Sequence, residues 1–229
     1  MEWGQAGVQV LAGQADLVVI VDVLSFSTAA SVAIEHGATI IPHRIHDGSA
    51  ERLAQSRGAA LANRDRSGPG PSLSPASLSA LRPGDRLVLP SPNGATCALL
   101  AAEAGAMVVA GCLRNATAVG RLAAALRGTT AVIPAGEMWP GGGLRPALED
   151  LIGAGAVLSA FDPEALSPEA QAAVAAFRAV RGDLQEVLRS SSSGRELIYA
   201  GFGTDVAIAA ELDATDLVPE LKGGGFRLL

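Results

Sequence analysis

Asp22 stands at the end of an apolar run, and three hydroxyls, Ser25, Ser27 and Thr28, follow within six residues. Further on, Ser91, Asn93 and Gly94 fall in "SPNG", Asn115 in "RNAT", Glu137 in "AGEM", and Glu149 and Asp150 adjoin each other in "ALED". Each has a plain structural reading. A hydroxyl or an Asn before a helix is a cap, acids in a first helical turn complement the macrodipole, and "SPNG" alone is a turn. What favours chemistry is co-location, because separate connections each place Asp, Asn, Ser or Glu where a strand ends. In open α/β sheets loops and helix N-termini converge there on one space. Two to four carboxylates facing hydroxyls and backbone N–H groups form a hard-cation site, and Mg2+ there bridges protein carboxylate to phosphate oxygen. The reading assigns metal ligation to Asp22, Glu137, Glu149 and Asp150. Asp22 either holds metal or attacks phosphorus, and the helix start at Ser25, Ser27 and Thr28 receives phosphoryl oxygens.

The elements that must position these residues alternate. Apolar runs at 17–23, 39–42, 86–90, 107–110 and 130–134 read as strands, and 28–36, 50–57, 95–103 and 116–127 as helices, with a short run at 59–62. Strands joined by helices imply right-handed crossovers and a mainly parallel sheet covered on both faces, a three-layer α/β/α sandwich. Two Gly- and Pro-rich stretches interrupt the pattern. Residues 63–85 are too long for an ordinary connection and read as either a mobile linker or a loop that folds over something, with the loop preferred, and 136–150 read as a lid or a close backbone approach. Beyond 150 the texture is helical, with Pro146 as a first helical position, a helix opening at Ser167 and Pro168, further turns at 184–189 and 204–210, and a loop at 190–194 with Ser193 near a helix start. The chain reads as one domain with a helical subdomain at about 151–229 as a variant.

Composition narrows the function classes. Of 229 residues, 49% are apolar and 17% charged, in short runs that indicate a soluble globular protein able to bury a sizeable core. No stretch has the length of a membrane span, and the N-terminus lacks a signal-peptide pattern, so the cytoplasm is expected. A net charge of −6 without a basic block, and only 3% aromatic residues, exclude the usual nucleic-acid footprint. Cys97 and Cys112 read as buried thiols, and His36, His43 and His46 match no zinc spacing. A homodimer is the expected assembly.

The segments "VDVLSFSTAASVAIEHGA", "SPNGATC", "NATAV" and "PAGE…LRPALEDLIGAGAV", in this order, resemble the 2-phosphosulfolactate phosphatase (ComB-like) family from about residue 17 to 160, with a weaker echo in "GRELIYAGFGTDVAIA". The resemblance implies an α/β, Mg2+-dependent phosphatase acting on a sulfonated three-carbon phosphate ester. Asp22, Ser27, Thr28, Asn93, Gly94, Asn115, Glu149 and Asp150 match its motif positions. The chain also departs from that pattern: Ser25 and Phe26, then Ala95 and Thr96, stand where the family commonly carries arginines, and "ANRD" replaces its Gly-Glu-Arg stretch. An anionic substrate needs bidentate cations. Arg64, Arg66, Arg114 and Arg145 are the candidates to supply them, Arg64 and Arg145 foremost because both lie in the long loops.

The expected activity is therefore Mg2+-dependent hydrolysis of a small phosphorylated hydroxy acid, with a small anionic phosphorylated metabolite as partner and neither nucleic acid nor membrane. Asp22, Glu149 and Asp150 are the catalytic candidates, and Glu149 or Asp150 protonates the leaving group. The rival is a non-catalytic protein on the same fold that binds a phosphometabolite or nucleotide. A dinucleotide oxidoreductase is disfavoured, since the turn after the first strand has no glycine for a pyrophosphate.

Overall fold

The computed structural model describes residues 1–229. In chain order the elements are α1 (Gly4–Leu11), β1 (Leu17–Val21), α2 (Phe26–Glu35), β2 (Thr39–His43), α3 (Gly48–Arg57), β3 (Ala60–Leu61), α4 (Pro75–Leu78), β4 (Arg86–Pro90), α5 (Gly94–Glu103), β5 (Met107–Gly111), α6 (Ala116–Ala125) and β6 (Thr130–Pro134). There follow β7 (Glu137–Met138), β8 (Leu144–Arg145), α7 (Leu148–Leu158), α8 (Pro168–Val180), α9 (Leu184–Ser190), α10 (Ser192–Tyr199), α11 (Gly203–Ala209), β9 (Pro219–Lys222) and β10 (Gly225–Leu228).

Apolar runs become strands here because both faces of the sheet are covered. All five residues of β1 are buried. Leu17, Val19 and Val21 pack with α6 and α7, around which α8, α9 and α11 gather. Val18 and Ile20 face the opposite layer, built from α1, α2 and α5. A smaller cluster of Ile41 and Val88 is covered by Ala50 and Ala54 of α3. The three-layer α/β/α sandwich holds. Burying a strand on both faces removes the alternation of a half-exposed one and leaves the continuous run seen in the sequence.

The eight-stranded sheet has the order β3-β4-β2-β10-β9-β5-β1-β6. It contains two parallel groups, β3-β4-β2 and β5-β1-β6. Between them lie β9 and β10, antiparallel to each other and to their neighbours β5 and β2. Three antiparallel junctions in succession reverse the strand sense, so the two parallel groups run oppositely by register. Twist of about 20° per strand pair, over the five steps from β1 to β4, rotates one group against the other by roughly a quarter-turn or more.

The β9-β10 hairpin closes through Gly223 and Gly224, with φ of 61° and 79°. A two-residue turn of this hand needs positive φ at both positions, which glycine supplies without strain. Thus the chain's last strands join the centre of the sheet instead of extending a helical tail.

Other differences from the sequence reading have local causes. Pro146 precedes the helix rather than opening it, because Leu144 and Arg145 pair with Met138 and Glu137 in the β7-β8 hairpin. A residue before proline favours that extended backbone. The stretch 190–194 is not one loop. Ser191 caps α10 there, its hydroxyl accepting from Gly194 N–H at 3.0 Å. The segment 63–85 contains α4 and is tied to α11: Asp205, itself buried, accepts from Ser74 Oγ at 2.6 Å, Ala76 N–H at 3.1 Å and Arg66 at 3.3 Å.

Candidate active site

Three connections meet at the end of β1. The Asp22 carboxylate accepts from Phe26 N–H at 3.0 Å and from Gly94 N–H at 2.9 Å, one bond on each oxygen. It thereby ties together the first turns of α2 and α5. Gly94 permits this because it has no side chain. A Cβ there would lie 2.5 Å from Asp22 Oδ2 and 2.8 Å from Phe26 Cβ. Asp150 does the same on the other side, accepting from Val23 N–H at 2.7 Å and Gly136 N–H at 2.8 Å. Glu137 accepts from Asn93 Nδ2 at 2.8 Å, which joins the β7-β8 hairpin to the start of α5. Glu149 is buried beside Asp150, and its Oε2 has no hydrogen-bond partner. Ser25 Oγ, also buried, has none.

Crowding the acids in a dry place shifts their titration. Burial pushes Asp22 up, against the Phe26 and Gly94 N–H groups and the Arg66 charge. Burial also raises Asp150 well above the ordinary range, helped by the charges of Asp22 and Glu149. Glu137 is pushed up to about 7, by burial first and then by Asp22 and Glu149, with the Asn93 bond and Arg145 opposing. A carboxyl that holds its proton near neutrality is equipped to protonate a leaving group.

The other expected site residues divide by their partners. Ser27 Oγ donates to Ile20 C=O at 2.9 Å and Thr28 Oγ1 to Val23 C=O at 2.8 Å, so both hydroxyls brace the β1-α2 turn rather than facing a ligand. Asn115 is likewise held by backbone, accepting from Cys112 N–H and donating to Ala110 and Leu217 carbonyls. Arg64 donates to His46 C=O, and with Arg44 and Arg66 it lines a further cavity of about 410 Å³. Arg66 is the arginine whose charge reaches Asp22. It forms an ion pair with Asp205 and lies 5.9 Å over the Phe202 ring. Arg145 chelates Glu196 through bonds of 2.7 and 2.8 Å, stacks 5.7 Å over Trp139 and stabilises ionised Glu137. Arg114 is taken up by Glu35 and Glu211. Cys97 is buried, which drives its thiol to about 12 and makes it inert.

Two cavities open around the β7-β8 hairpin. One, of about 280 Å³, is bounded by Asn93, Glu137 and the N-terminal turn of α1. The second, of about 550 Å³, holds Glu149, Arg145 and the Ser192 and Ser193 hydroxyls of α10. Asp22 and Asp150 line neither. The α1 contribution has no motif in the sequence, and α10 carries only the start of the weaker echo in "GRELIYAGFGTDVAIA". Ser191, before a Ser-Ser-Gly start, was the available cap signal for α10.

The 2-phosphosulpholactate phosphatase family model matches residues 9–224. The chain belongs to this family. A probable 2-phosphosulfolactate phosphatase of Carboxydothermus hydrogenoformans is 31% identical over 209 residues, covering 89% of this chain and 85% of that protein. One of Deinococcus radiodurans, carrying the same description, is 32% identical over 219 residues, covering 91% and 89% respectively. Family membership makes the chain a phosphatase, a phosphoric monoester hydrolase. No helix is long and apolar enough to cross a membrane.

Proposed function

We propose that the chain is a Mg2+-dependent phosphatase that hydrolyses the phosphate monoester of a small 2-hydroxy acid, working as a homodimer in the cytoplasm. The observation that carries this reading is Asp22 held at two helix starts, with Glu137 on Asn93 at the second of them and an orphaned acid oxygen at Glu149 beside Asp150. No three His, Cys, Asp or Glu side chains are close enough to form a ready cage for a metal. Mg2+ does not require one, since it keeps several waters and binds through one or two carboxylates plus substrate phosphate. The free Glu149 oxygen and the unsatisfied Ser25 hydroxyl fit such a partial set, and Asp22 retains lone pairs beyond the two N–H groups it accepts. Bound there by Asp22 and Glu149, Mg2+ would neutralise charge on the phosphoryl oxygens.

The protein's own groups do the rest. Arg66 and Arg145 bring positive charge toward the acids from the two long loops, each oriented by an ion pair and an aromatic face. Glu137 carries the proton for the leaving oxygen, a role the sequence reading gave to Glu149 or Asp150. Asp22 serves as nucleophile or orients an attacking water. Rapid-quench detection of an acid-stable, hydroxylamine-sensitive phosphoprotein separates these two routes.

A panel of phosphate monoesters, assayed with and without Mg2+, tests the proposal. Turnover that disappears with chelator and returns with Mg2+ is expected, and absence of turnover with tight ligand retention points instead to the non-catalytic binder. That each Asp22 oxygen already accepts a backbone N–H is the observation that favours that rival.

A further inference from the structure

Neither of the turns that grip Asp22, residues 22–28 and 91–97, contains a lysine or an arginine. Positive charge for a further anionic group of the substrate must come from other segments, and the three cavities around the acids differ in what they supply. The one beside α1 has no lysine or arginine in its wall. In the one beside α10, Arg145 and Arg195 are matched by Glu149 and by Glu196, which chelates Arg145 at 2.7 and 2.8 Å. The third, of about 410 Å³, lies off the ends of β2 and β4 and is walled by Arg44, Arg64 and Arg66, with no Asp or Glu in its lining. In a chain of net charge −6, an acid-free cavity ringed by three arginines is a local positive field in which an anion gains a counter-charge as it loses water. Two observations tie this cavity to the acid cluster. Pro92 lines it two residues before Gly94, whose N–H holds Asp22, and Arg66 brings its charge to Asp22 from the same wall.

We infer that this cavity is the subsite for a further anionic group of the phosphate ester, a sulfonate or a second carboxylate, and that Arg44 and Arg66 set the specificity for it. The inference rests on the phosphatase reading above for the phosphoryl end and on the arginine cavity for this group. A guanidinium carries five N–H donors. Arg44 spends Nη2 on Glu103 at 2.6 Å and Arg66 spends Nη1 on Asp205 at 3.3 Å, so both keep donors for a ligand. Arg64 is turned to the His46 carbonyl. Arg66 is the more enclosed, its side chain 18% exposed against 44% for Arg44, so Arg66 meets the group inside the cavity and Arg44 at the rim. One carboxylate engages one guanidinium fork, and two forks suit a substrate with an anion beyond the carboxylate of a 2-hydroxy acid.

The experiment compares the O-phosphates of lactate, malate and 3-sulfolactate by kcat/KM, and by calorimetric binding of the same compounds, in the wild type and in Arg44→Met, Arg145→Met and Arg195→Met. The wild-type protein is expected to favour the malate or sulfolactate ester over the lactate ester by at least about tenfold, and the larger of the two ratios names the group. Arg44 is exposed and its ion pair with Glu103 lies on the surface, so Arg44→Met keeps the fold and is expected to lower that ratio about fivefold. Arg145→Met and Arg195→Met are expected to keep the wild-type ratio. A wild-type ratio near one, or a ratio that falls in Arg145→Met or Arg195→Met and holds in Arg44→Met, overturns the inference and leaves the phosphatase reading intact. Preferential binding of the malate or sulfolactate ester that Arg44→Met weakens, without turnover of any ester, overturns the phosphatase reading and supports the inference. Neither binding nor turnover overturns both.

Discussion

Gly94 and Glu137 concentrate the chemistry of the site at the scale of single residues. Gly94→Ala forces its Cβ against Asp22 and Phe26, so either the carboxylate loses the Gly94 N–H or α5 shifts. We expect a destabilisation of about 1–3 kcal/mol, together with a loss of turnover out of proportion to that cost, read by urea denaturation beside kcat. Glu137 gives a pH signature. Its carboxyl titrates near 7 in the fold against an ordinary 4.5, so the folded state holds the proton more tightly. Its stabilising contribution is full below about 4.5 and is lost as pH rises through about 7. The loss amounts to at most about 3 kcal/mol. Glu137→Gln should therefore match the wild type in Tm near pH 4 and exceed it at pH 8. Its kcat should be lower, and the decline of kcat through pH 7 should vanish. Equal Tm curves for the two proteins across that range would refute the buried-acid account.

At the scale of elements, α4 and the loop before it depend on one buried acid in α11. Asp205 accepts from Ser74, Ala76 and Arg66, and its removal leaves those donors unpaired beneath the surface. Asp205→Ala is expected to cost about 3–5 kcal/mol and to release residues 63–78 to proteolysis. Arg66→Ala should preserve more of the stability but lower activity, while Arg64→Ala, whose side chain serves a distant carbonyl, should change little. Limited trypsinolysis and kcat/KM of the three proteins decide this. The α7-α8 contact offers a sterner constraint, because a Cβ on Gly155 would overlap the Ala173 carbonyl. These devices were invisible in the one-dimensional pattern. The Gly, Pro and Ser content of 63–85 announces a loop, and only contacts with residues more than a hundred positions away show what it is pinned to.

The whole molecule depends on its final strands. Residues 219–228 connect the two parallel groups, and Phe226, fully buried, meets Phe26 edge-on with ring centroids 5.8 Å apart. Phe26 lies in the first turn of α2 and its N–H holds Asp22, so the C-terminal hairpin supports the acid cluster. Phe226→Ala is expected to cost about 3–5 kcal/mol and to lower activity along with stability. Truncation before Pro219 should abolish cooperative unfolding, as followed by circular dichroism during a thermal scan.

How far the sequence reached can be stated at particular places. The strands at 86–90 and 130–134 were legible to the residue, and most helices to within two or three, because hydrophobic period and glycine stops are local signals. Asp22, Asn93, Glu137, Glu149 and Asp150 were legible as site candidates from their places after strands. The Gly-Gly pair of the last hairpin is itself a local turn signal. What the sequence alone determined was composition and local periodicity: a doubly covered sheet, its strands and helices, and which polar residues interrupt them. Only tertiary structure decided that Ser27, Thr28 and Asn115 bond to backbone, that the Arg66 charge acts on Asp22, and that burial raises Asp22, Asp150 and Glu137 together. Hydrogen bonding and desolvation depend on distances between segments far apart in the chain, and those distances exist only once the whole sheet, with its last two strands at the centre, has closed.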